Sequence, residues 1–483
     1  MLLFLFLAAA YALTSSGRMR SVDEYMMFFQ TESLTLHHSL AIPQSMSFDN
    51  FFGAYDRFHQ PRTPFPPGLA LVATPAYAIG LGLVSALHLS FPQSMFLLHF
   101  SVCMTNAIVS SAMVTVLFLF LVQLNFSCRT GLLAAFLVAF ATMLWPYSGY
   151  FFSEPLASLL LMLAAYVLFG RIPRPPGTEI PARALIVAGL VLGAVVWVRF
   201  YHFIALAAFC PALIAVEKRL RSAAFLAGAA GLSLALYLAY NHYLFGGFFR
   251  FAYPKTVEAG IDPTGFSTPL WYGVAGLLFS PGKSIFLWIP AVIPALWGLK
   301  GLAQKTRGMA IVAGLLPVIY LLFFANFVNW EGSRAPGPRF LLPPAMLLCV
   351  AVAPALESAS RSQKIVVRIV ALAGLIVQVV SIATSFLEAH VGHGYFDDRY
   401  KYQFWYCQLT VQLKLFWQYA MGAPHQLGTG WDRWFIFLHD AGIPTSFIAV
   451  VLFLECLAVL VFGYLLRREY RRCATLTTIG SQP

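Results

Sequence analysis

Charged side chains are scarce in this sequence. Of its 483 residues only 10% are Asp, Glu, Lys or Arg and 59% are hydrophobic, which gives a mean hydropathy of +0.75. Soluble domains contain about 25% charged residues, so this scarcity excludes a water-soluble globular protein. Apolar runs such as 95–124, 369–387 and 446–466 approach or exceed the length of about 20 helical residues that crosses a membrane. We therefore predict an all-α polytopic membrane protein with about 12 transmembrane helices, forming a single membrane-embedded domain over residues 1–483.

Acidic residues are scarcer than basic ones, which leaves a formal net charge of +12. A nucleic-acid-binding role is excluded by where the basic residues lie. With the N-terminus inside, the predicted cytoplasmic segments contain 17 of the 31 Lys and Arg residues; they are 125–130, 171–183, 217–222, 300–308, 357–368 and 467–483. The positive-inside rule then places the remaining loops outside; the larger ones are 16–94, 246–284, 328–339 and 388–444.

Two segments have more than one interpretation. Residues 68–89 are apolar enough to span, but a span there would put Arg129 and the later basic loops outside, so we predict an interfacial segment. Residues 1–15 resemble a signal peptide because Ala10-Tyr11-Ala12 fits a cleavage site. An uncleaved first span is favoured, since no basic region precedes the apolar run.

Cysteines are few and irregularly spaced, and internal repeats and low-complexity segments are lacking. Only Cys407 of the seven cysteines falls in a predicted outer loop, so no disulfide framework is implied. The absence of a repeat argues against inverted-repeat transporters. Four loop histidines lack metal-ligand spacing, so we interpret them as surface residues. They are His37, His38, His390 and His393, and Asp397 and Asp398 lie near the last two.

The first candidate site residues are adjacent acids, Asp23 and Glu24, just after the first predicted span. A carboxylate beside the membrane suits a general base acting on an acceptor hydroxyl, because partial burial raises a carboxyl pKa toward the working range. An ordinary helix start after Ser21 explains the pair equally simply. Glu154, after an aromatic-rich run, is either a residue of a water-filled cavity or the cap of a helix that begins at Pro155.

Basic candidates lie in three outer turns. Arg199 and His202 occupy a tight turn where the predicted topology requires no cation. Anion binding explains this placement, and snorkelling of Arg199 to lipid phosphate explains it equally well. Lys283 and Arg339 lie in two loops rich in Gly and Pro, and Arg339 is preceded by Glu331 in Trp330-Glu331-Gly332. Both cations suit a phosphate group, although flexible turns against lipid head groups are the alternative. Gly282-Lys283-Ser284 is not a Walker loop, because position 277 is Leu.

Taken in order, these motifs resemble the GT-C glycosyltransferase superfamily, near the bacterial relatives of protein O-mannosyltransferases and lipid A aminoarabinose transferases. The resemblance rests on Asp23-Glu24, on the segment 59–68 that contains Arg62, on the run ending at Glu154, on 276–283, and on 330–332 with 337–340. Ala335-Pro336 departs from the superfamily's spacing before Gly-Pro-Arg, which predicts a shift of Arg339.

The resemblance implies inverting transfer of a sugar from a polyprenyl-phosphate donor to a lipid or glycan acceptor at the outer face of a bacterial inner membrane. Asp23 would take the acceptor proton, and Glu24 and Glu154 would shape the acceptor pocket or hold a cation. Lys283, Arg339 and Arg199 would hold the donor phosphate, with Arg62, His202 and Glu331 as further pocket residues. No cofactor and no essential metal are expected, with a divalent cation as the alternative.

The main competing function is a transporter or flippase for lipid-linked sugars. It requires charges inside the spans, and Glu455 is the sole mid-span charge in the predicted topology. An acyl or phosphoethanolamine transferase would need a nucleophile or a metal cluster, and the sequence shows neither.

Overall fold

The computed structural model describes residues 1–47, 51–170, 179–250, 265–387, 399–422 and 431–479, with side chains up to residue 471. Within these ranges the regular secondary structure is almost entirely helical. Two strands of two residues each, β1 (Ala54–Tyr55) and β2 (Pro61–Arg62), form an antiparallel hairpin in which Ala54 pairs with Arg62. His390, His393, Asp397 and Asp398 lie outside the described residues.

Among the described residues, the first half of the chain contains ten α-helices. They are α1 (Leu2–Thr14), α2 (Val22–His37), α3 (Gly68–Leu87), α4 (Phe91–Gln123), α5 (Cys128–Phe140), α6 (Leu144–Ser148), α7 (Glu154–Phe169), α8 (Ala182–Val196), α9 (Leu206–Glu217) and α10 (Leu220–Phe245). The second half adds α11 (Leu270–Phe279), α12 (Ile285–Trp288), α13 (Val292–Lys305), α14 (Arg307–Ala325), α15 (Leu342–Leu348), α16 (Val352–Ser358), α17 (Arg361–Ala383), α18 (Arg399–Tyr402), α19 (Gln408–Ala420), α20 (Trp434–Asp440) and α21 (Thr445–Ile479).

The three apolar runs 95–124, 369–387 and 446–466 lie mainly in helices, in α4, α17 and α21. Among the described residues, eight helices are long and apolar enough to cross a membrane, and five shorter apolar helices accompany them. The polytopic all-α prediction is therefore confirmed, whereas the number of 12 spans stays a prediction. α3 is one of the eight, so the interfacial placement of residues 68–89 also stays a prediction.

The segment 339–358 forms the centre of the bundle. It contains α15 and α16. In its most apolar stretch of 18 residues 89% are buried, more than in any other candidate span among the described residues. α7, α13 and α14 pack around it, and α8 and α10 pack together outside α7. Arg339 begins this segment in a 3₁₀ turn. Its backbone therefore belongs to the most deeply buried candidate span.

The predicted orientation gives a test by thiol labelling. The natural Cys407 is unsuitable as a reporter because its side chain is buried at the start of α19. Better positions are Tyr55, 51% exposed at the hairpin, and Glu357, exposed in the last turn of α16. We expect Tyr55→Cys to react with a membrane-impermeant maleimide in intact cells and Glu357→Cys to react only after lysis. Equal labelling of both variants in intact cells would contradict the orientation.

Candidate active site

Asp23 occupies the second position of α2, close to two guanidinium groups. Arg339 Nη1 donates a hydrogen bond to Asp23 Oδ2 at 2.8 Å, and Arg199 Nη2 lies 3.8 Å from the same oxygen. The start of a helix also favours a negative charge. The Asp23 side chain keeps 20% of its surface exposed, so it is accessible from outside the protein.

Glu154 lies on the other side of Arg339. Its Oε1 is 3.9 Å from Arg339 Nε, and its side chain is fully buried at the start of α7. Neither Glu154 oxygen nor Arg339 Nε has a hydrogen-bond partner among the described residues. Because a buried carboxylate with no donor is costly, this part of the site is incomplete in its polar contacts. Asp23, Glu154, Arg199 and Arg339 are called the acid–arginine cluster below.

Residues 152–154 hold both arginines. Arg339 lies over the Phe152 ring, 5.3 Å from its centroid, and Arg199 Nε donates to Ser153 Oγ at 2.7 Å. The segment itself is fixed by Asn106 on α4, whose Nδ2 donates to the carbonyls of Tyr150 and Phe152 at 2.7 and 2.6 Å. Asn106 was not identified from the sequence; the signal for it was a lone amide within an apolar span.

Glu24 joins the start of α2, which carries Asp23, to the segment around Phe151. Its Oε2 accepts from the backbone N–H groups of Arg20 and Ser21 at 2.9 Å each, and Oε1 accepts from the N–H of Phe151 at 3.0 Å. Burial raises the pKa of Glu24, and the charge of Arg20 together with these N–H groups opposes the rise. The Glu24 oxygens accept from backbone N–H groups and so link the turn that carries Asp23 to Phe151. The predicted part of Glu24 in an acceptor pocket stays a prediction.

We therefore expect Glu24→Gln to destabilise the fold by about 1–3 kcal/mol, because the amide NH₂ faces backbone donors instead of accepting from them. Transfer activity per folded molecule should fall as well, since the Asp23 turn loses its link to Phe151. Thermal unfolding measures the first effect, with the exposed Glu357→Gln as the control. An unchanged unfolding midpoint would contradict the positioning role.

Lys283 anchors the loop that carries Arg339. Its Nζ donates to the carbonyls of Ser333, Ala335 and Gly337 at 2.9, 2.6 and 3.4 Å. Burial lowers the pKa of Lys283 to about 7; the positive charges of Arg339 and Lys401 lower it further, while Glu331 raises it. These contacts give Lys283 a structural place, and its predicted contact with donor phosphate stays a prediction.

Two glycines, Gly332 and Gly337, shape the loop that leads to Arg339. Gly332 and Gly337 have φ of +75° and +59°, in the left-handed region. A Cβ at Gly332 would lie 2.6 Å from Cγ of Arg339. Tyr147 holds the loop from the other side, donating to the Pro336 carbonyl at 2.9 Å. Arg339 therefore reaches Asp23, and the change at Ala335-Pro336 does not move it out of the cluster.

Three other predicted pocket residues have separate partners. Arg62 Nε donates to Asp56 Oδ2 at 2.8 Å in the hairpin, and Glu331 accepts from Tyr400 Oη at 2.9 Å. The buried His202 is hydrogen-bonded through Nδ1 to Tyr320 Oη at 2.7 Å. Their assignment to a substrate pocket stays a prediction.

Described residues after α17 contact the segments around the site. Arg20 forms a buried ion pair with Asp432, and the N–H of Gly282 donates to the Lys401 carbonyl at 3.1 Å. These contacts join Lys401 and Asp432 to the segments that carry Asp23 and Lys283.

Among the described residues, no group of three or more His, Cys, Asp or Glu side chains converges to hold a metal ion. His37 and His38 are exposed at the end of α2. In the acid–arginine cluster, the guanidinium of Arg339 provides a positive charge next to both carboxylates.

The helical bundle defines the class of structure, because it has a fold that is already known from solved structures. In particular, it is similar to ArnT from Cupriavidus metallidurans bound to undecaprenyl phosphate, with a TM-score of 0.54 and 13% identity over 96% of this chain and 76% of that one. The apo structure of the same ArnT gives 0.52 and 14% identity over 79% of this chain and 65% of that one.

A more distant similarity is to the oligosaccharyltransferase AglB from Archaeoglobus fulgidus in complex with an inhibitory peptide and a dolichol-phosphate, with a TM-score of 0.40 and 15% identity over 96% of this chain and 55% of that one. No protein-family model matches the sequence, and no curated protein matches it either. The similarity to the two ArnT structures therefore establishes the fold of this chain.

Proposed function

We propose that this protein is a glycosyltransferase that moves a sugar from a polyprenyl-phosphate donor to an acceptor at the outer face of the membrane. The observation that carries the proposal is Asp23, partly exposed and held beside Arg339 and Arg199. The GT-C fold supports it, and so does the ArnT structure that was solved with undecaprenyl phosphate.

The cluster can support the reaction in one displacement. The acceptor oxygen attacks the anomeric carbon, a new C–O bond forms, and the bond from that carbon to the phosphate oxygen breaks. Asp23 takes the proton of the acceptor hydroxyl, as a general base does. Arg339 and Arg199 stabilise the negative charge that develops on the departing polyprenyl phosphate.

The donor phosphate also explains how Asp23 becomes available as a base. Arg339 donates a hydrogen bond to Asp23. A phosphate between the guanidinium groups competes for the same donors, because arginine binds phosphate through charge-assisted, often bidentate hydrogen bonds. Donor binding then frees the Asp23 oxygen for the acceptor proton, and the polyprenyl chain stays in the apolar part of the membrane.

The first test is transfer itself. Purified protein in nanodiscs is mixed with undecaprenyl phosphate carrying glucose, mannose, N-acetylglucosamine or aminoarabinose, and the lipids and glycans are analysed by mass spectrometry. In parallel, glycolipids are compared between cells with and without the protein. We expect one sugar to leave its lipid phosphate and to appear on an acceptor in an Asp23-dependent manner. Movement of intact lipid-linked sugar between leaflets, with no product, would favour the transporter instead.

A further inference from the structure

An open groove runs between α8 and α10 on the surface of the bundle. Its volume is about 600 Å³, within the range of about 300–1,000 Å³ that is typical of small-molecule sites. Ile186 and Leu190 of α8 and Phe225 and Leu232 of α10 belong to its lining, and Arg221 is the charged residue among the lining side chains. The groove therefore suits a hydrocarbon chain that carries a polar group at one end.

Two glycines of α8 set how the two helices meet. A Cβ at Gly189 would lie 2.5 Å from the carbonyl oxygen of Leu226, and a Cβ at Gly193 would lie 2.4 Å from Cβ of Ser233. The backbones approach closely at both glycines, as small residues allow between membrane helices. Because later residues of α8 meet later residues of α10, the two helices run parallel and begin at the same end of the groove.

The dimensions of the groove match one leaflet of a membrane. A Cβ at Gly228, which lines the groove, would meet no other element among the described residues within 4 Å. Arg221 and Leu232 are 11 residues apart on α10, which corresponds to about 16 Å at about 1.5 Å per residue. The hydrocarbon core of a bilayer is about 30 Å thick. A chain in the groove with its head group at Arg221 would therefore span one leaflet.

The end of the groove where both helices begin is positively charged. The guanidinium carbon of Arg221 lies 5.4 Å from the centroid of the Phe225 ring. The exposed Arg183 precedes Ile186 and Leu190 by three and seven residues, so it shares their face of α8. The N-termini of α8 and α10 add the positive ends of two helix dipoles.

The acids near this end have other partners. Glu179 pairs with Arg219, and Glu217 accepts a hydrogen bond from Ser222 Oγ. Within the part of the chain that the structure describes, Arg221 itself forms no ion pair. A positive charge at the end of an apolar groove is complementary to an anionic lipid head group.

We propose that this groove binds one anionic phospholipid, with an acyl chain along α10 and its phosphate at Arg221 and Arg183. A second copy of the chain is disfavoured, because an isologous contact across this face would bring the arginines of both copies together. In the predicted orientation both helices begin on the cytoplasmic side, which assigns the lipid to that leaflet. The 15 residues of α8, about 22 Å, separate this end from Arg199, so the site does not depend on the proposed sugar transfer.

Native mass spectrometry of the full-length protein tests the charged end by measuring the affinity for the first bound lipid. The probes are dioleoyl phosphatidylglycerol and dioleoyl phosphatidylcholine, which have the same chains and differ in net charge. We expect a preference for phosphatidylglycerol that Arg221→Gln lowers by about 5-fold, the value of one arginine near an anionic lipid. Arg219→Gln is the matched control and should change the preference less than about 2-fold, because Arg219 pairs with Glu179 and does not line the groove.

Gly228→Leu tests the apolar part of the groove. The new side chain occupies the open space at Gly228, and leucine favours a helix more than glycine does, so the unfolding midpoint should not fall. We expect the first lipid of either kind to bind about 10-fold more weakly. Gly231→Leu is the matched control, because this glycine has the same free space but does not line the groove. It should bind both lipids as the wild type does.

The proposal is overturned if the wild type binds both lipids equally, or if Arg219→Gln lowers the preference as much as Arg221→Gln. It is also overturned if Gly228→Leu leaves phospholipid binding unchanged. If that variant weakens the binding of undecaprenyl phosphate alone, or dissolves a dimer instead, then a prenyl lipid or a second copy of the chain occupies the groove and the phospholipid assignment is wrong.

Discussion

Asp23→Asn is expected to reduce sugar transfer by about 10²–10⁴-fold, the usual contribution of a general base. Asparagine keeps an oxygen that can accept from Arg339, so the hydrogen bond of 2.8 Å has a replacement. The carboxamide cannot take a proton from an acceptor hydroxyl at neutral pH. Initial rates with saturating donor and acceptor, measured by mass spectrometry, report the effect.

The control for Asp23→Asn is the same change at an acid far from the cluster. Asp440 ends α20 and its side chain is 57% exposed, so Asp440→Asn should leave transfer and stability nearly unchanged. The unfolding midpoint of Asp23→Asn should also stay within a few degrees of the wild type, since the lost charge is partly exposed. An unaltered transfer rate would remove Asp23 from the role of base.

Arg339→Gln is expected to cause the second large loss, about 10²–10³-fold in transfer, because it removes a positive charge from the departing phosphate. The change also leaves the buried Glu154 carboxylate without the guanidinium that lies 3.9 Å away. Breaking a buried pair by removing one partner costs about 3–5 kcal/mol, so the unfolding midpoint should fall as well. Transfer rates per folded molecule and thermal unfolding measure the two effects separately.

A double variant separates the stability effect from the catalytic one. In Arg339→Gln with Glu154→Gln, the unpaired buried charge is gone, so most of the lost stability should return. Transfer should stay low because the phosphate still lacks its cation, and Arg339→Lys should be intermediate because lysine lacks the planar fork. If the double variant recovers transfer together with stability, Arg339 has a structural role only.

The residue types of the site were predictable, but their pairing was not. Asp23 and Arg339 are separated by 316 positions, and each stood out as a charge in an otherwise apolar chain. Their contact depends on how the central helix meets the start of α2, which local patterns do not specify. The helical class was predictable because apolar length alone decides it.

The roles of Glu24 and Lys283 illustrate what the sequence leaves open. Both are charged residues in predicted outer segments, like Asp23 and Arg339, yet their charged groups face backbone atoms of other segments. Which carbonyls or N–H groups point inward is set by turns such as the left-handed Gly332 and Gly337. Tertiary contacts thus decide whether a charge faces a substrate or supports a loop.

Ser153 and Asn106 were missed for a related reason. Both are small neutral polar residues, and neither type stands out beside hydrophobic neighbours unless it is known to be buried. The structure buries both and gives each a hydrogen bond to the site segment or to Arg199. Polar residues inside an apolar span are the signal to search for in similar sequences.

The most direct test of the account is an experimental structure of the full chain in nanodiscs with undecaprenyl phosphate. We predict phosphate oxygens within about 3 Å of the guanidinium nitrogens of Arg339 or Arg199, with Asp23 facing the open side of the cluster. A phosphate bound elsewhere, with the pair of Asp23 and Arg339 intact, would contradict the central claim.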